Sequence, residues 1–157
     1  MPMYKDHLLG GFAGGVTLLF LVSNYLVKQA MPLATALEWM LFALAGSLFP
    51  DVDIKSKGQK LFYRIIVGLI LISLYKNHLN LAVYLALFSI LPMLVRHRGL
   101  FHTTWFIIVL PIAGALVATN YLPAYRYSLF YDAAFFIVGA LTHLIMDFGL
   151  KGFIKMR

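Results

Sequence analysis

A chain of 157 residues, 62% of them hydrophobic and 12% charged, with a mean hydropathy of +0.86, is not a water-soluble globule. Soluble domains run at about 45–50% apolar and about 25% charged, and neither a disordered chain nor a coiled coil has this composition. Thirteen Lys and Arg against six Asp and Glu give a net charge of +7, and the absence of cysteine excludes disulfides and thiolate metal sites. The cations stand at the ends of apolar runs, which fits anionic lipid headgroups and speaks against nucleic acid as a partner. The expected fold is an all-α polytopic membrane helix bundle. Residues 1–157 are read as one integral membrane domain with lipid as its partner.

A membrane-spanning helix takes about 20 mostly apolar residues, within a range of about 17–25. Apolar runs between polar punctuation give six such segments. The first runs from Leu8 to Val27 and is closed by Lys28 and Gln29. It is long for a signal-peptide core, lacks a small-x-small cleavage site and precedes further apolar runs, so it reads as a membrane helix. Its Gly10, Gly11, Gly14 and Gly15 form overlapping small-xxx-small spacings that permit close backbone approach; packing within the chain is expected in preference to a dimer seam. The second run, Leu33 to Phe49, lies between Pro32 and Pro50. The third, Leu61 to Tyr75, is the shortest and carries Arg64 near its start. Leu79 to Val95, Thr103 to Thr119 and Phe130 to Phe148 complete the set. Short runs cross with snorkelling flanks or local bilayer thinning.

Lys and Arg in short loops set orientation. With six spans, one side holds Lys5, Lys55, Lys57, Lys60, Arg64, Arg96, Arg98, Lys151, Lys155 and Arg157, and the other only Lys28, Lys76 and Arg126. The richer side is cytoplasmic, so both termini are expected there.

The remaining ionisable residues follow the same division. His7 precedes the first run, Asp51 and Asp53 follow the second, His97 and His102 bracket the turn between the fourth and fifth, and His143 and Asp147 close the sixth. All fall on the cytoplasmic side, although the topology came from Lys and Arg alone. Singly, each has a bland explanation: an interfacial histidine, a solvated Asp-x-Asp turn, a hydrogen-bonded His-x-x-x-Asp pair. Together, four segments converge at one depth, and ionisable groups at membrane depth mark metal or proton-handling sites. Imidazole and carboxylate are ligands for zinc and also suit manganese or iron. His143 and Asp147 are four apart, on one helix face. Asp51 and Asp53, two apart, are expected to point the same way in an extended or turn backbone. Gly99 allows a tight turn between His97 and His102, and Arg98 offers a planar donor fork suited to phosphate. His78, with Lys76 on the opposite side, reads as interfacial. Glu38 is expected to pair with a neighbouring helix or interface water. Trp39 and Trp105 read as interfacial or packing aromatics.

The combination of His7, the segment Phe49-Pro50-Asp51-Val52-Asp53, the segment His97-Arg98-Gly99-Leu100-Phe101-His102 and the segment His143-Leu144-Ile145-Met146-Asp147 resembles the YdjM-like family of bacterial membrane-bound proteins. The motif pattern is also similar to that of zinc-dependent phospholipase C enzymes. The resemblance runs from His7 to Asp147 in order and with compatible spacing, and His-Arg-Gly-x-x-His is its most specific part. It departs at Phe101-His102-Thr103, where the family often has Thr-His-Ser: Thr103 keeps a hydroxyl, whereas Phe101 removes a donor beside the ligands. The resemblance implies a metal-dependent hydrolase, multi-pass in the bacterial cytoplasmic (inner) membrane.

On this reading one or two divalent ions, zinc before manganese or iron, are held by His7, Asp51, Asp53, His97, His102, His143 and Asp147. Asp51 or Asp53 is the general base. Arg98, helped by Lys55, Lys57 and Arg64, neutralises a phosphoryl group. An interfacial site ringed by cations favours an amphiphilic phosphoester, such as a phospholipid or polyprenyl phosphate. Two other functions use the same residues: a non-enzymatic bundle whose metal only fixes the fold, and an ion or proton transporter. Transport calls for polar groups near the midplane, and here they crowd one end.

Overall fold

The computed structural model describes residues 3–28, 31–95 and 99–155, with side chains described through residue 149. Among these residues there is no strand, and each apolar run is a helix: α1 (Tyr4–Leu21), α2 (Leu33–Leu48), α3 (Lys57–Tyr75), α4 (Leu79–Leu94), α5 (Thr104–Thr119) and α6 (Arg126–Lys155). A π-helical stretch, Val22–Val27, extends α1 and stops at Lys28, whose φ of 51° turns the chain. Short 3-10 turns, Phe49–Asp53 and Leu100–His102, follow α2 and precede α5. Helix α6 is interrupted at Gly149, where a φ of 66° suits a residue without a Cβ.

Three helix starts lie earlier than expected, at Tyr4, Lys57 and Arg126, and local capping accounts for the first two. The Met3 amide donates to the Asp6 carboxylate at 2.6 Å. An acid in the first turn stabilises a helix there, so α1 begins at Tyr4 and His7 lies inside it. Ser56 Oγ accepts from the Gln59 amide at 3.0 Å, an N-cap that carries α3 back to Lys57 and lengthens it to 19 residues. Tyr4–Val27, Leu33–Asp53, Lys57–Tyr75 and Pro123–Gly149 are long and apolar enough to cross a membrane. The shorter apolar helices are therefore α4 and α5, at 16 residues each, and not the third run.

The molecule is a membrane helix bundle whose outward faces are apolar; Leu33, Met93 and Leu94 are among the large hydrophobic residues left exposed. Its tightest seam joins α2 to α6. A Cβ on Gly46 would fall on the Phe136 carbonyl, and one on Gly139 on the Ala43 carbonyl, so the two backbones touch. Helix α1 lies in the groove beside this seam. Gly11 and Gly15 face Ser47, Ala43 and Met40 of α2, whereas Gly10 and Gly14 face Met146, Thr142 and Val138 of α6. The four glycines thus serve packing within the chain.

Helix α5 packs on α6 through Ile107, Ala140 and Leu144. Helices α3 and α4 form a hairpin, tied by the Tyr63 hydroxyl donating to the Ser89 carbonyl at 3.2 Å. The hairpin joins the rest mainly at one end, through the 49–53 turn and an aromatic cluster of Phe49, Phe101 and Phe106 with Phe62, Phe88 and Leu91 around it. The up-and-down course brings the start of α1, the end of α2, the start of α5 and the last turns of α6 to that same end.

Candidate metal centre

Helix α1 contributes His7, whose side chain shares the buried face of Gly11 and Gly15 at i, i+4 and i+8. Because Gly10 and Gly14, on the adjoining face, bring α1 against α6, the His7 ring stacks on His143, with centroids 3.7 Å apart and planes 15° from parallel. His143 and Asp147 lie one turn apart on α6, as their spacing requires. His143 is fully buried, and its Nδ1 donates to the Ser47 carbonyl at 2.7 Å. That bond fixes the tautomer and leaves the Nε2 lone pair directed away from Ser47. Nε2 is buried and makes no hydrogen bond among the described residues.

Four ligand atoms converge there. His143 Nε2 lies 3.7 Å from Asp51 Oδ1 and 3.6 Å from Asp147 Oδ2. His102 Nε2 lies 3.9 Å from the same Asp51 oxygen and 3.7 Å from the same Asp147 oxygen. Around a zinc-like ion with ligands at about 2.0–2.1 Å, tetrahedral edges measure about 3.4 Å. The observed separations are a few tenths wider, a difference that small side-chain rotations close. The other oxygen of Asp147, Oδ1, faces His7 Nε2 at 3.5 Å. His7, His143 and Asp147 form one group with ligand atoms within 4.8 Å of one another, and Asp51, His102 and His143 form another. This His/Asp cluster has the donor types and spacing to hold a metal ion.

Local structure explains each position. Asp51 is anchored through its backbone: the Ser56 hydroxyl that caps α3 donates to the Asp51 carbonyl at 2.8 Å. His102 enters from the turn before α5, with Phe101 fully buried beside it against Phe49 and Phe106. Phe101 is therefore the apolar anchor of the turn. The Thr103 hydroxyl donates locally to the Leu100 carbonyl at 2.7 Å. The side chains of His102, His143 and Asp147 are at most 7% exposed and that of Asp51 is 23% exposed, so the cluster opens toward solvent on the Asp51 side.

Of the seven ligand residues expected from the sequence, five come together: His7, Asp51, His102, His143 and Asp147. Asp53 is half-buried at the end of the same turn but belongs to neither group of ligand atoms. Phe49–Asp53 is a 3-10 turn in which Asp51 departs from helical φ/ψ, so the chain after Pro50 is turned and not extended. His97 and Arg98 lie outside the described residues. Lys55, Lys57, Lys60 and Arg64 are exposed at this end, and Lys57 Nζ sits 3.9 Å from the Tyr4 ring centroid. At the far end, His78 packs edge-on against Tyr121, Trp39 is buried against Tyr131 and Phe135, and Glu38 is exposed.

A family model described as YdjM inner membrane protein matches residues 3–153. The chain belongs to the YdjM inner membrane protein family. No curated protein and no solved structure matches it. In this YdjM family member two further residues, Ser47 and Ser56, support the cluster without being singled out by the motifs. Ser47 acts through its carbonyl, which carries no residue-type signature; the only hint was a small Gly46-Ser47 pair at the end of an apolar run. Ser56 had a clearer signal, a serine three residues before Gln59 at the start of a helix.

Proposed function

We propose that this protein is a metal-dependent hydrolase acting on an amphiphilic phosphoester, such as a phospholipid or polyprenyl phosphate, at the cytoplasmic face of a membrane. The observation that carries the reading is that His102 Nε2 and His143 Nε2 each lie 3.6–3.9 Å from both Asp51 Oδ1 and Asp147 Oδ2. Zinc is the first choice of ion for two imidazoles and two carboxylates near tetrahedral spacing, with manganese and iron next. When bound, a divalent cation polarises a substrate oxygen and brings the pKa of a water toward neutrality.

The chain's own residues supply the rest. The Ser47 carbonyl holds His143 in the ligating tautomer, and the Ser56 hydroxyl holds the backbone of Asp51. Asp53, in the same turn as Asp51 but outside both groups of ligand atoms, is our choice for the general base that accepts a proton from the attacking water. Arg98 with Lys55, Lys57 and Arg64 would face the phosphoryl oxygens, cations placed where negative charge develops. The 23% exposure of Asp51 marks the side from which substrate approaches.

A second reading, a structural metal without turnover, draws support from the four protein ligands, since closed tetrahedral sites are typically structural. Metal analysis of the detergent-purified protein, coupled to a turnover screen on lipid phosphates, tests both. A near-stoichiometric metal that disappears in His143→Ala and Asp147→Ala, together with metal-dependent phosphate release, is the expected result. Metal without release across the screen favours the structural reading, and negligible metal in the wild type removes both.

A further inference from the structure

The α3–α4 hairpin stands apart from the bundle over much of its length. Helix α4 buries Ala82 and Pro92 and packs mainly on α3, where the Ser89 carbonyl accepts from Tyr63, and its main other neighbour is the 49–53 turn. Extensive packing between α4 and α5 is absent among the described residues. The two helices meet a common floor instead. Phe88 and Leu91 of α4, and Phe106 and Leu110 of α5, pack on the aromatic cluster of Phe49 and Phe101.

Above that floor, the same face of α5 continues at i+3 and i+4 through Ala113, Gly114 and Val117. All three are exposed, and a Cβ on Gly114 would meet nothing within 4 Å. On α4 the corresponding face continues through Tyr84, which is 60% exposed. These exposed apolar faces of α4 and α5, not packed on each other, thus rise from a common floor of Phe49 and Phe101, residues near Asp51 and His102 in sequence. Exposed Lys55, Lys57, Lys60 and Arg64 lie at that same end.

We propose that the α4–α5 slot receives the hydrocarbon tail of a membrane lipid, which enters sideways from the bilayer and sets its anionic head beside the His/Asp cluster. The occupant follows from its surroundings. An apolar interval between two membrane helices, with exposed cations at the same end of the bundle, matches an amphiphile with one anionic end. A soluble phosphate has nothing to fill the slot, and a peptide would bring backbone polar groups that apolar walls leave unsatisfied. The position of the head rests on the hydrolase reading; the seating of the tail does not.

The chain has no cysteine, so single cysteines can be placed and labelled cleanly. Gly114→Cys faces the slot. Leu116→Cys lies on the outward face of α5, shared with Val109 and Ile112, and is 53% exposed. Each carries a benzophenone maleimide, in liposomes of phosphatidylethanolamine and phosphatidylglycerol containing a trace of radiolabelled long-chain phosphatidic acid. Excess unlabelled long-chain phosphatidic acid should cut labelling at position 114 about tenfold further than at position 116; tenfold is the worth of about two buried methylenes. An equal response at the two positions overturns the proposal.

Ala113→Trp supplies a second readout. It should raise KM for long-chain phosphatidic acid about tenfold, by the same conversion, and leave kcat and turnover of a short-chain soluble phosphoester unchanged. Equal effects on both chain lengths count against the slot. Selective competition at position 114 with no turnover of any phosphoester by the wild type upholds tail binding and sinks the hydrolase reading. Turnover without selective competition does the reverse.

Discussion

His143 meets three constraints at once. It is fully buried, it stacks on His7, and its Nδ1 is committed to the Ser47 carbonyl, so only Nε2 is left to ligate. Asp147, one turn along, offers one oxygen to His143 and His102 and the other to His7. Asp147→Asn keeps the shape and removes the charge, and so separates ligation from packing. In a thermal melt, wild-type protein with zinc at a hundred times its Kd should gain about 2.7 kcal/mol. The Asn variant should gain none, while its metal-free stability stays near that of the wild type. Ser56→Ala should cost about 1 kcal/mol through the lost cap and, by freeing Asp51, weaken metal binding about tenfold; isothermal titration measures the second effect. Residue types that ligate metals were legible in the sequence, because the chemistry demands those side chains. The backbone after Pro50 was not: an Asp-x-Asp after proline reads equally as extended chain or as a 3-10 turn.

At the level of elements, glycine divides into seam and surface positions. Gly46 and Gly139 are where α2 and α6 touch, backbone to backbone. Gly46→Val or Gly139→Val should destabilise the bundle by about 1–3 kcal/mol or more, since added atoms have nowhere to go. Gly68, midway along α3 with open space around it, should tolerate Ala and gain about 0.5–1 kcal/mol from helix propensity. Melting temperatures in one detergent compare the three. The helices themselves were readable from apolar runs, and the clustered glycines of α1 announced a close approach. Their neighbours were not readable: a small-xxx-small stripe says that something comes near, and only the tertiary course of the chain decides what. The extension of α3 back to Lys57 escaped the hydropathy reading because a serine cap and charged first-turn residues begin that helix, not apolar ones.

For the whole molecule, the decisive relation is between charge and topology. Lys and Arg divide ten to three between the two sets of loops. The cluster gathers the start of α1, the end of α2, the start of α5 and the end of α6, which is the same division drawn by different residues. Reporter fusions at Lys57 and Lys155 should report the cytoplasm, and fusions at Lys28 and Arg126 the opposite side; a mixed result within either pair contradicts the arrangement. The convergence of His7, Asp51, His102, His143 and Asp147 could be anticipated because alternating helices leave few choices of side. The splayed α3–α4 hairpin could not, since its apolar faces look the same in sequence whether they meet protein or lipid.

Gly139 stands one turn before His143, and Ala43, which it touches, one turn before Ser47, whose carbonyl steers that imidazole. A methyl group added at this crossing would therefore be felt first as a misaimed nitrogen, before any unfolding. Mutational drift in such a protein has little freedom to trade bulk between the two helices, because their spacing also sets the geometry of the His/Asp cluster.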